Sequence, residues 1–311
     1  YERAYMKSLV SLVIPTYNEV GNLEKLYEEI VRNLSSKYSY EIIFVDDGST
    51  DESLKIIKKI KKNDKRIKFI SFTRNFGHQY ALKAGLDNAK GDCVISLDAD
   101  LQHPPSMISE MLKEWKKGFK IVYTKRVRED NTSYYKLITS KLFYYIINKL
   151  SQVRIEYGMA DFRLLDRKVV EIIKNTSESA FFLRGLVAWT GFPSKSITYT
   201  PDERYSGQTK YSLHKMMNMA IDAVTSFSIV PLRLATILGF FISLVSGIYA
   251  LYAVIVWITD SKVITGWPSV IVSVLFIGGM QLMMLGIVGE YVGKVFLESK
   301  KRPLYIIGEM E

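Results

Sequence analysis

The segment Val94-Ile-Ser-Leu-Asp-Ala-Asp-Leu-Gln-His-Pro-Pro105 brings two carboxylates to the end of a predicted buried strand. Its apolar start is typical of such a strand, and Pro104 and Pro105 prevent the strand from continuing. Ligands of open α/β sheets bind at this edge. There, Asp98 and Asp100 can share one Mg²⁺ or Mn²⁺ whose remaining ligands are phosphate oxygens. A solvated turn or a helix cap is the alternative interpretation of this short acidic motif.

Apolar runs alternate with helical patterns on both sides of that segment. The predicted strands are residues 9–15, 41–45, 67–72, 92–97 and 120–123, and the predicted helices are residues 22–36, 51–62, 78–90 and 105–117. This regular alternation predicts an α/β domain, Rossmann-like, with a mainly parallel sheet and helices on both faces.

Polar residues follow the first four predicted strands. They are Pro15-Thr-Tyr-Asn-Glu19, Asp46-Asp-Gly-Ser-Thr-Asp51, Arg74-Asn-Phe-Gly77 and Asp98-Ala-Asp100. One Asp-rich loop alone is ordinary turn chemistry. Because the carboxyl ends of parallel strands share one edge, four such segments together predict a nucleotide pocket. No Gly-x-x-x-x-Gly-Lys-Ser/Thr loop is present and no Gly-x-Gly-x-x-Gly follows the first strand, which argues against ATPases and dinucleotide oxidoreductases.

The charge of the chain is unevenly distributed. The formal net charge is +10 over 311 residues, and nearly all of the excess lies before residue 229. A basic domain favours acidic partners such as nucleic acid, an anionic membrane or a phosphorylated substrate. Cys93 is the single cysteine, which excludes an intrachain disulfide and is expected to be a core residue. Because the N-terminal sequence lacks the pattern of a signal peptide, we expect the first 228 residues to lie in the cytosol.

Two long uncharged stretches, residues 234–259 and 263–289, follow this basic part. Each exceeds the length of about 20 residues that a membrane-spanning helix needs, so they predict a helical hairpin. Two buried helices of a soluble core are the alternative, although such helices usually keep a polar stripe. The basic residues at 300–302 predict that both ends of the hairpin face the cytosol. Gly289 and Gly293 form a Gly-x-x-x-Gly pair, which leaves a homo-oligomer possible.

An amphipathic helix is predicted just before the first uncharged stretch. Apolar residues recur at helical spacing between residues 213 and 227, and polar residues fall largely elsewhere. Its position predicts that it lies in the membrane interface, with Lys210 and Lys215 near lipid phosphates. Packing against the soluble domain is the alternative.

Together these segments resemble a family 2 glycosyltransferase of GT-A fold. The resemblance is to the polyprenyl-phosphate branch, which includes dolichyl-phosphate mannose synthases and bacterial GtrB-type enzymes, and it covers nearly the whole chain. It rests on Val13-Ile-Pro-Thr-Tyr-Asn-Glu19, Val45-Asp-Asp-Gly-Ser-Thr-Asp51, Asp98-Ala-Asp-Leu-Gln-His-Pro-Pro105, Ala160-Asp-Phe-Arg-Leu164 and Arg204-Tyr-Ser-Gly-Gln-Thr-Lys210. It implies a cytosolic catalytic domain over residues 1–205, a lid loop and interface helix over 206–230, and a transmembrane hairpin with a short basic tail over 231–311.

The resemblance also implies roles for individual residues. Those expected to bind the nucleotide sugar are Pro15, Tyr17, Glu19, Asp47, Asp98, Ala99, Gln102, Arg204 and Lys210. Asp100 is expected to bind Mg²⁺ or Mn²⁺ directly, with Gln102 and Asp98 adjacent. Other interpretations stay open, since Pro15 can end a strand, Tyr17 can pack in the core and Glu19 can cap the following helix.

Asp161 is the residue that the resemblance offers as the catalytic carboxylate, and a structural partner of Arg163 is the equal alternative. A general base is hardly needed, because the second pKa of a phosphate monoester is near 6 and the attacking oxygen of a lipid phosphate is already largely anionic. Placing that dianion is the harder task. Arg126, Arg204 and Lys210 are candidates for it, although each alone is typical of a solvated surface charge.

The expected activity is inverting transfer of a hexose, with UDP-glucose as the favoured donor, to undecaprenyl or a similar polyprenyl phosphate. The enzyme would act at the cytosolic face of the cell membrane and give a β-linked product. GDP-mannose or aminoarabinose donors are alternatives of the same class. A non-catalytic transport or flipping protein is disfavoured because the uncharged stretches contain no intramembrane charge. A nucleic-acid-binding protein is disfavoured because the basic residues are scattered along helices.

Overall fold

The structure is a computed structural model, and its first five strands and the four helices between them agree closely with the predicted ones. It describes residues 8–34, 38–126, 159–176, 178, 182–199, 228–259 and 266–311. The strands are β1 (Leu9–Thr16), β2 (Ser39–Asp46), β3 (Ile67–Phe72), β4 (Cys93–Ser96), β5 (Ile121–Arg126), β6 (Met159–Asp166), β7 (Ser194–Tyr199) and β8 (Ile307–Met310). The helices are α1 (Leu23–Asn33), α2 (Ser53–Asn63), α3 (His78–Asn88), α4 (Met107–Lys116), α5 (Arg167–Lys174), α6 (Leu183–Trp189), α7 (Val230–Thr259) and α8 (Trp267–Ser299).

The strands form one mixed sheet in the order β7-β5-β6-β4-β1-β2-β3-β8. Strands β1 to β4 are parallel, and β5 pairs in parallel with β7. Strand β6 lies antiparallel between β4 and β5, and β8 is antiparallel to β3. The expected mainly parallel α/β sheet is therefore confirmed. Because β1 pairs with β2 on one side and β4 on the other, the strand order reverses at β1, which is where open α/β sheets bind ligands.

Helices cover both faces of this sheet, as predicted. Successive side chains of a strand point to opposite faces, so Val10, Leu12 and Ile14 of β1 pack in one core and Val13 packs in the other. The first core is completed by apolar residues of α1, α2 and α4, and the second by apolar residues of α3, α5 and α6. Cys93 is buried in the first core, as expected. These two layers fix the strand ends that carry the polar loops.

Helices α7 and α8 are long and apolar enough to cross a membrane. The candidate spans are Val230–Tyr249, with mean hydropathy 1.7, and Val272–Ser299, with mean hydropathy 2.0. Their apolar side chains are largely exposed, which argues against two buried helices of a soluble core. A Cβ added at Gly289 or Gly293 would meet no described atom within 4 Å, so the face with the Gly-x-x-x-Gly pair is open. The predicted lid loop and amphipathic helix at 206–227 lie outside the described residues.

The segment after α8 returns to the sheet. Strand β8 pairs with the edge strand β3, with Ile70 opposite Met310 and Ser71 opposite Glu309. From the sequence, this segment is predicted only as part of a short basic tail. It covers the backbone groups of β3 that would otherwise form an exposed edge.

Candidate active site

The loops after β1 and β2 are bound together at the sheet edge. Asn18, with a positive φ of 55°, accepts a hydrogen bond from the Thr50 amide at 2.8 Å, and its own amide donates to Ser49 Oγ at 3.0 Å. The Glu19 amide donates to Ser53 Oγ at 2.9 Å. These contacts make the two loops one wall of the cleft.

Among the residues predicted to bind the nucleotide, Pro15 and Tyr17 lie in this wall. Pro15 is buried in β1 opposite Val45, whereas Tyr17 begins the loop and its side chain is 37% exposed. Glu19 accepts a hydrogen bond from the Asn22 side chain at 2.6 Å. Asn22 is the residue before α1, so this contact of Glu19 is with a side chain and not with a backbone amide of the helix.

The two carboxylates of Asp46 and Asp47 are built into the fold. Asp46 accepts a hydrogen bond from Ser71 Oγ at 2.8 Å. Asp47 accepts from the amide of Phe76 at 2.7 Å and from that of Gly77 at 2.9 Å. Burial raises the pKa of Asp47 above its ordinary value, although the two amides oppose this shift. Asp47 therefore holds the loop between β3 and α3, and its predicted contact with the nucleoside stays a prediction.

Asp98 lies at the end of β4 and pairs with a histidine that sequence analysis did not assign. His78 Nε2 is 2.8 Å from Asp98 Oδ1, and the Asp98 amide donates to His103 Nδ1 at 3.1 Å. Desolvation alone would lower the pKa of His78, but the Asp98 carboxylate and the more distant Asp161 raise it to about 9. Burial opposes the ionisation of Asp98, yet His78 and His103 lower its pKa below the ordinary value. A histidine cation thus faces the cleft at neutral pH, with its side chain 43% exposed.

Asp161 in β6 is held by two guanidinium groups. Arg163, which is fully buried, binds Oδ1. Arg184 from α6 donates through Nε to Oδ1 at 3.0 Å and through Nη2 to Oδ2 at 2.7 Å. Burial would raise the pKa of Asp161, but Arg184 and Arg163 hold it well below its usual range. The contact with Arg163 that the sequence suggested is present, and the carboxylate is better placed to orient arginines than to accept a proton.

Asp100 offers a metal ligand of the right chemistry. It is partly exposed, and its Oδ1 accepts the Gln102 amide at 3.1 Å across Leu101, whose φ is positive at 62°. Within the described residues, no group of three or more His, Cys, Asp or Glu side chains is arranged to hold a metal ion. Mg²⁺ is commonly held by one or two carboxylates together with substrate phosphates. The residues present fit this way of binding Mg²⁺, in which Asp100 would be the protein ligand. The neighbouring Ala99 is buried.

The side chains of the three predicted basic residues lie outside the part of the chain that the structure describes. Arg126 ends β5 opposite Tyr199, but only its backbone is described. Arg204 and Lys210 lie outside the described residues. Their roles stay predictions.

His78 and Arg184 are the site residues that sequence reasoning missed. His78 directly follows the polar segment after β3, so extending that segment by one residue would have found it. Arg184 lies in the short helix α6, which follows the predicted strands. Its contact with Asp161 depends on the packing of α6 against β6, which no local sequence signal indicates.

Comparisons with known proteins agree with this geometry. Residues 11–173 match the family described as Glycosyl transferase family 2, and residues 230–295 match the GtrB C-terminal hairpin. A bactoprenol glucosyl transferase of Shigella phage SfV is 39% identical, covering 96% of this chain and 97% of its own length. An uncharacterised glycosyltransferase of Synechocystis is 42% identical, covering 97% of this chain and 95% of its own length.

Solved structures are more distant. Mannosyl-3-phosphoglycerate synthase from Rubrobacter xylanophilus has a TM-score of 0.47 at 18% identity, covering 70% of this chain and 72% of that one. That likeness is too weak to carry a conclusion.

Proposed function

Because the chain belongs to glycosyl transferase family 2 and carries a GtrB C-terminal hairpin, we propose that it transfers glucose from UDP-glucose to undecaprenyl phosphate. Glucosyl transfer to a polyprenyl carrier is supported by the relatives named bactoprenol glucosyl transferase. The finer assignments, UDP-glucose as donor and a β-linked product of inversion, are part of the proposal.

One observation carries the proposal at the site itself. His78 pairs with Asp98 and Arg184 pairs with Asp161, and the two pairs lie at the same sheet edge because β4 and β6 are neighbours with Ser96 opposite Arg163. Two cations are thereby held in place next to two carboxylates at the switch point of the sheet. Such a cleft suits a reaction in which an anionic phosphate attacks beside a diphosphate leaving group.

The chain's own residues can place the acceptor phosphate for attack. A lipid phosphate arrives already ionised, so the site has to position it and needs no strong base. Asp161 holds Arg184 through a two-point contact, which fixes the direction of a guanidinium that suits phosphate oxygens. Attack of the phosphate oxygen on the anomeric carbon then forms the new bond while the bond to the leaving diphosphate breaks. A divalent cation held by Asp100 would neutralise the charge that develops on that diphosphate.

We also propose that both ends of the hairpin lie in the cytosol with the catalytic domain. Pairing of β8 with β3 supports this, because residues before α7 and after α8 meet in one sheet. Two membrane crossings, by α7 and α8, bring the chain back to the side on which it started.

The test is a donor panel with purified protein in liposomes that contain undecaprenyl phosphate. UDP-glucose is expected to give lipid-linked sugar, whereas UDP-N-acetylglucosamine and GDP-mannose are expected to give little. Nuclear magnetic resonance of the product reports the anomeric configuration, and the proposal requires β. Preferential use of GDP-mannose would move the chain to the mannose alternative.

A further inference from the structure

The last described segment is attached to the catalytic sheet by main-chain hydrogen bonds beyond β8 itself. Phe69 and Glu311 exchange two bonds, each amide donating to the other's carbonyl at 3.1 Å. The Thr73 amide donates to the Ile306 carbonyl at 3.1 Å. We call residues 305–311 the strap. Backbone hydrogen bonds thus join the strap to β3 and Thr73 from Ile306 to Glu311.

Tyr305 fixes the start of the strap. Its ring stacks on Phe72, with centroids 5.1 Å apart and planes 16° from parallel. Its hydroxyl donates to Asp87 Oδ2 at 2.9 Å. The stacked aromatic pair and the hydrogen bond to the Asp87 carboxylate therefore add side-chain contacts to the backbone hydrogen bonds of the strap.

Two ion pairs fix the end of the strap to helix α2. Lys58 Nζ lies 2.5 Å from Glu309 Oε2, and Lys61 Nζ lies 2.5 Å from Glu311 Oε1. The same helix also carries Lys55 and Lys59, which pair with residues outside the strap. Helix α2 therefore offers both a test pair and a control pair of lysines.

The strap enters the sheet at the cleft. Since β8 is antiparallel to β3, Ile307 lies opposite Phe72 at the carboxyl end of β3. Phe72 makes an edge contact with Phe76, whose ring centroid is 5.7 Å away. Phe76 belongs to the loop that Asp47 holds and that leads into His78. Tyr305 thus packs on Phe72, which in turn contacts the loop between β3 and α3.

The strap is also close to the end of the second candidate span. Tyr305 follows Ser299, the last residue of α8, by six positions. Six residues reach at most about 20 Å even when fully extended. Desolvation and, after it, the charge of Glu298 in the last turn of α8 raise the pKa of Glu178, which follows α5 in the chain. The carboxyl edge of the sheet is therefore tied near the end of α8.

We propose that the strap is a positioning element for the lipid acceptor, which holds the cleft at the membrane surface where the acceptor phosphate lies. This inference rests on the proposed function. Holding the cleft there raises the effective concentration of a bilayer-embedded phosphate and limits the orientations that the domain samples. The strap acts by joining β3 to the end of α8, and so sets how far the catalytic domain lies from the membrane surface. It does not change how the nucleotide sugar, which arrives from solution, is bound.

The first experiment compares two acceptors in one enzyme. A variant lacking residues 305–311 and the full chain are each assayed with undecaprenyl phosphate in liposomes and with a short, water-soluble prenyl phosphate. We expect kcat/KM for the bilayer acceptor to fall about tenfold or more, while the soluble acceptor and the KM for UDP-glucose change less than about twofold. An equal fall with both acceptors would mean that β8 only stabilises the sheet, and no change with either acceptor would equally overturn the proposal.

A second set of variants covers the case in which truncation prevents folding. Lys58→Glu with Lys61→Glu replaces attraction to the strap by repulsion. Lys55→Glu with Lys59→Glu makes the same charge change on the same helix and serves as the control. We expect the first pair to lower kcat/KM for the bilayer acceptor about fivefold, and the control pair to leave it near the full chain's value. Equal effects of the two pairs would refute the strap.

Charge exchange gives the rescue. Adding Glu309→Lys and Glu311→Lys to the Lys58→Glu, Lys61→Glu variant restores opposite charges and should restore use of the bilayer acceptor. Failure to restore it would count against the ion pairs as part of the strap. If the unaltered chain transfers sugar to neither acceptor, the proposed function fails instead, so the two failures are distinguishable.

Discussion

Arg184 holds both oxygens of Asp161, with Nε to Oδ1 at 3.0 Å and Nη2 to Oδ2 at 2.7 Å. Together with the buried Arg163, this contact assigns the carboxylate to orienting cations. We therefore propose that the cleft positions phosphate groups and does not rely on a general base.

Asp161→Asn should destabilise the protein and slow transfer. The change leaves the fully buried Arg163 without its carboxylate, and breaking a buried pair costs about 3–5 kcal/mol. Arg184 also loses its two-point partner, and a misplaced phosphate-binding group can slow transfer about a hundredfold. Thermal unfolding and kcat/KM for the lipid acceptor measure the two effects, with the exposed Glu28→Gln as control. A lowered unfolding midpoint with a near-normal rate would show that Asp161 is only structural.

The pH dependence of transfer should follow the acceptor and not Asp161. Since the folded-state pKa of Asp161 is lowered, its ion pairs are fully present above the unfolded value of about 3.9 and are lost only at lower pH. Between pH 5 and 8 we expect kcat/KM to fall only as pH drops through about 6, the second pKa of the lipid phosphate. A phosphonate acceptor, whose second pKa is higher, should move this limb upward. An unmoved limb would assign it to an enzyme group.

His78→Gln should weaken donor binding. The histidine is the cation that balances Asp98 in the cleft, and without it the added diphosphate meets uncompensated negative charge. We expect the KM for UDP-glucose to rise about tenfold, with little change in the unfolding midpoint because the side chain is partly exposed. His78→Lys keeps a positive charge and should lie nearer the unaltered chain. Equal KM values for the two variants would rule out a charge effect.

Asp47→Ala should loosen the loop before His78. The amides of Phe76 and Gly77, which are partly buried, lose their shared acceptor, and each lost hydrogen bond costs about 1 kcal/mol. We expect a lower unfolding midpoint and a raised KM for UDP-glucose. Asp47→Asn keeps one acceptor oxygen and should show a smaller change. An unchanged midpoint for the alanine variant would contradict this account of Asp47.

The sequence predicted the first part of the fold well because strong local patterns define it. The runs that became β1 to β5 are apolar and bounded by turn residues, and the helices between them have clear apolar faces. Strand β6 was missed because the search followed apolar runs, whereas Asp161 and Arg163 of this strand are buried as an ion pair. Strand β8 was missed because it is short, contains Gly308 and depends on pairing with β3, which is remote in sequence.

The site residues that belong to sequence motifs were predicted. Those that reach the site only through tertiary packing were missed. Asp98, Asp100 and Asp161 belong to recognisable segments at strand ends. The ion pair of Arg184 with Asp161 joins α6 to β6, and the pair of His78 with Asp98 joins α3 to β4. Such partners depend on how helices pack against the sheet, which local sequence does not encode.

Metal-dependent transfer of glucose to a polyprenyl phosphate is measured by the rate at which lipid-linked glucose forms. Purified protein in liposomes is given UDP-glucose, undecaprenyl phosphate and Mg²⁺ or Mn²⁺. We predict product with the unaltered chain, loss of product on addition of EDTA with recovery after excess metal, and no product with Asp100→Ala. Full activity of Asp100→Ala, or transfer that EDTA does not affect, would contradict the role assigned to Asp100. Failure of the unaltered chain to form any lipid-linked glucose would contradict the proposed function itself.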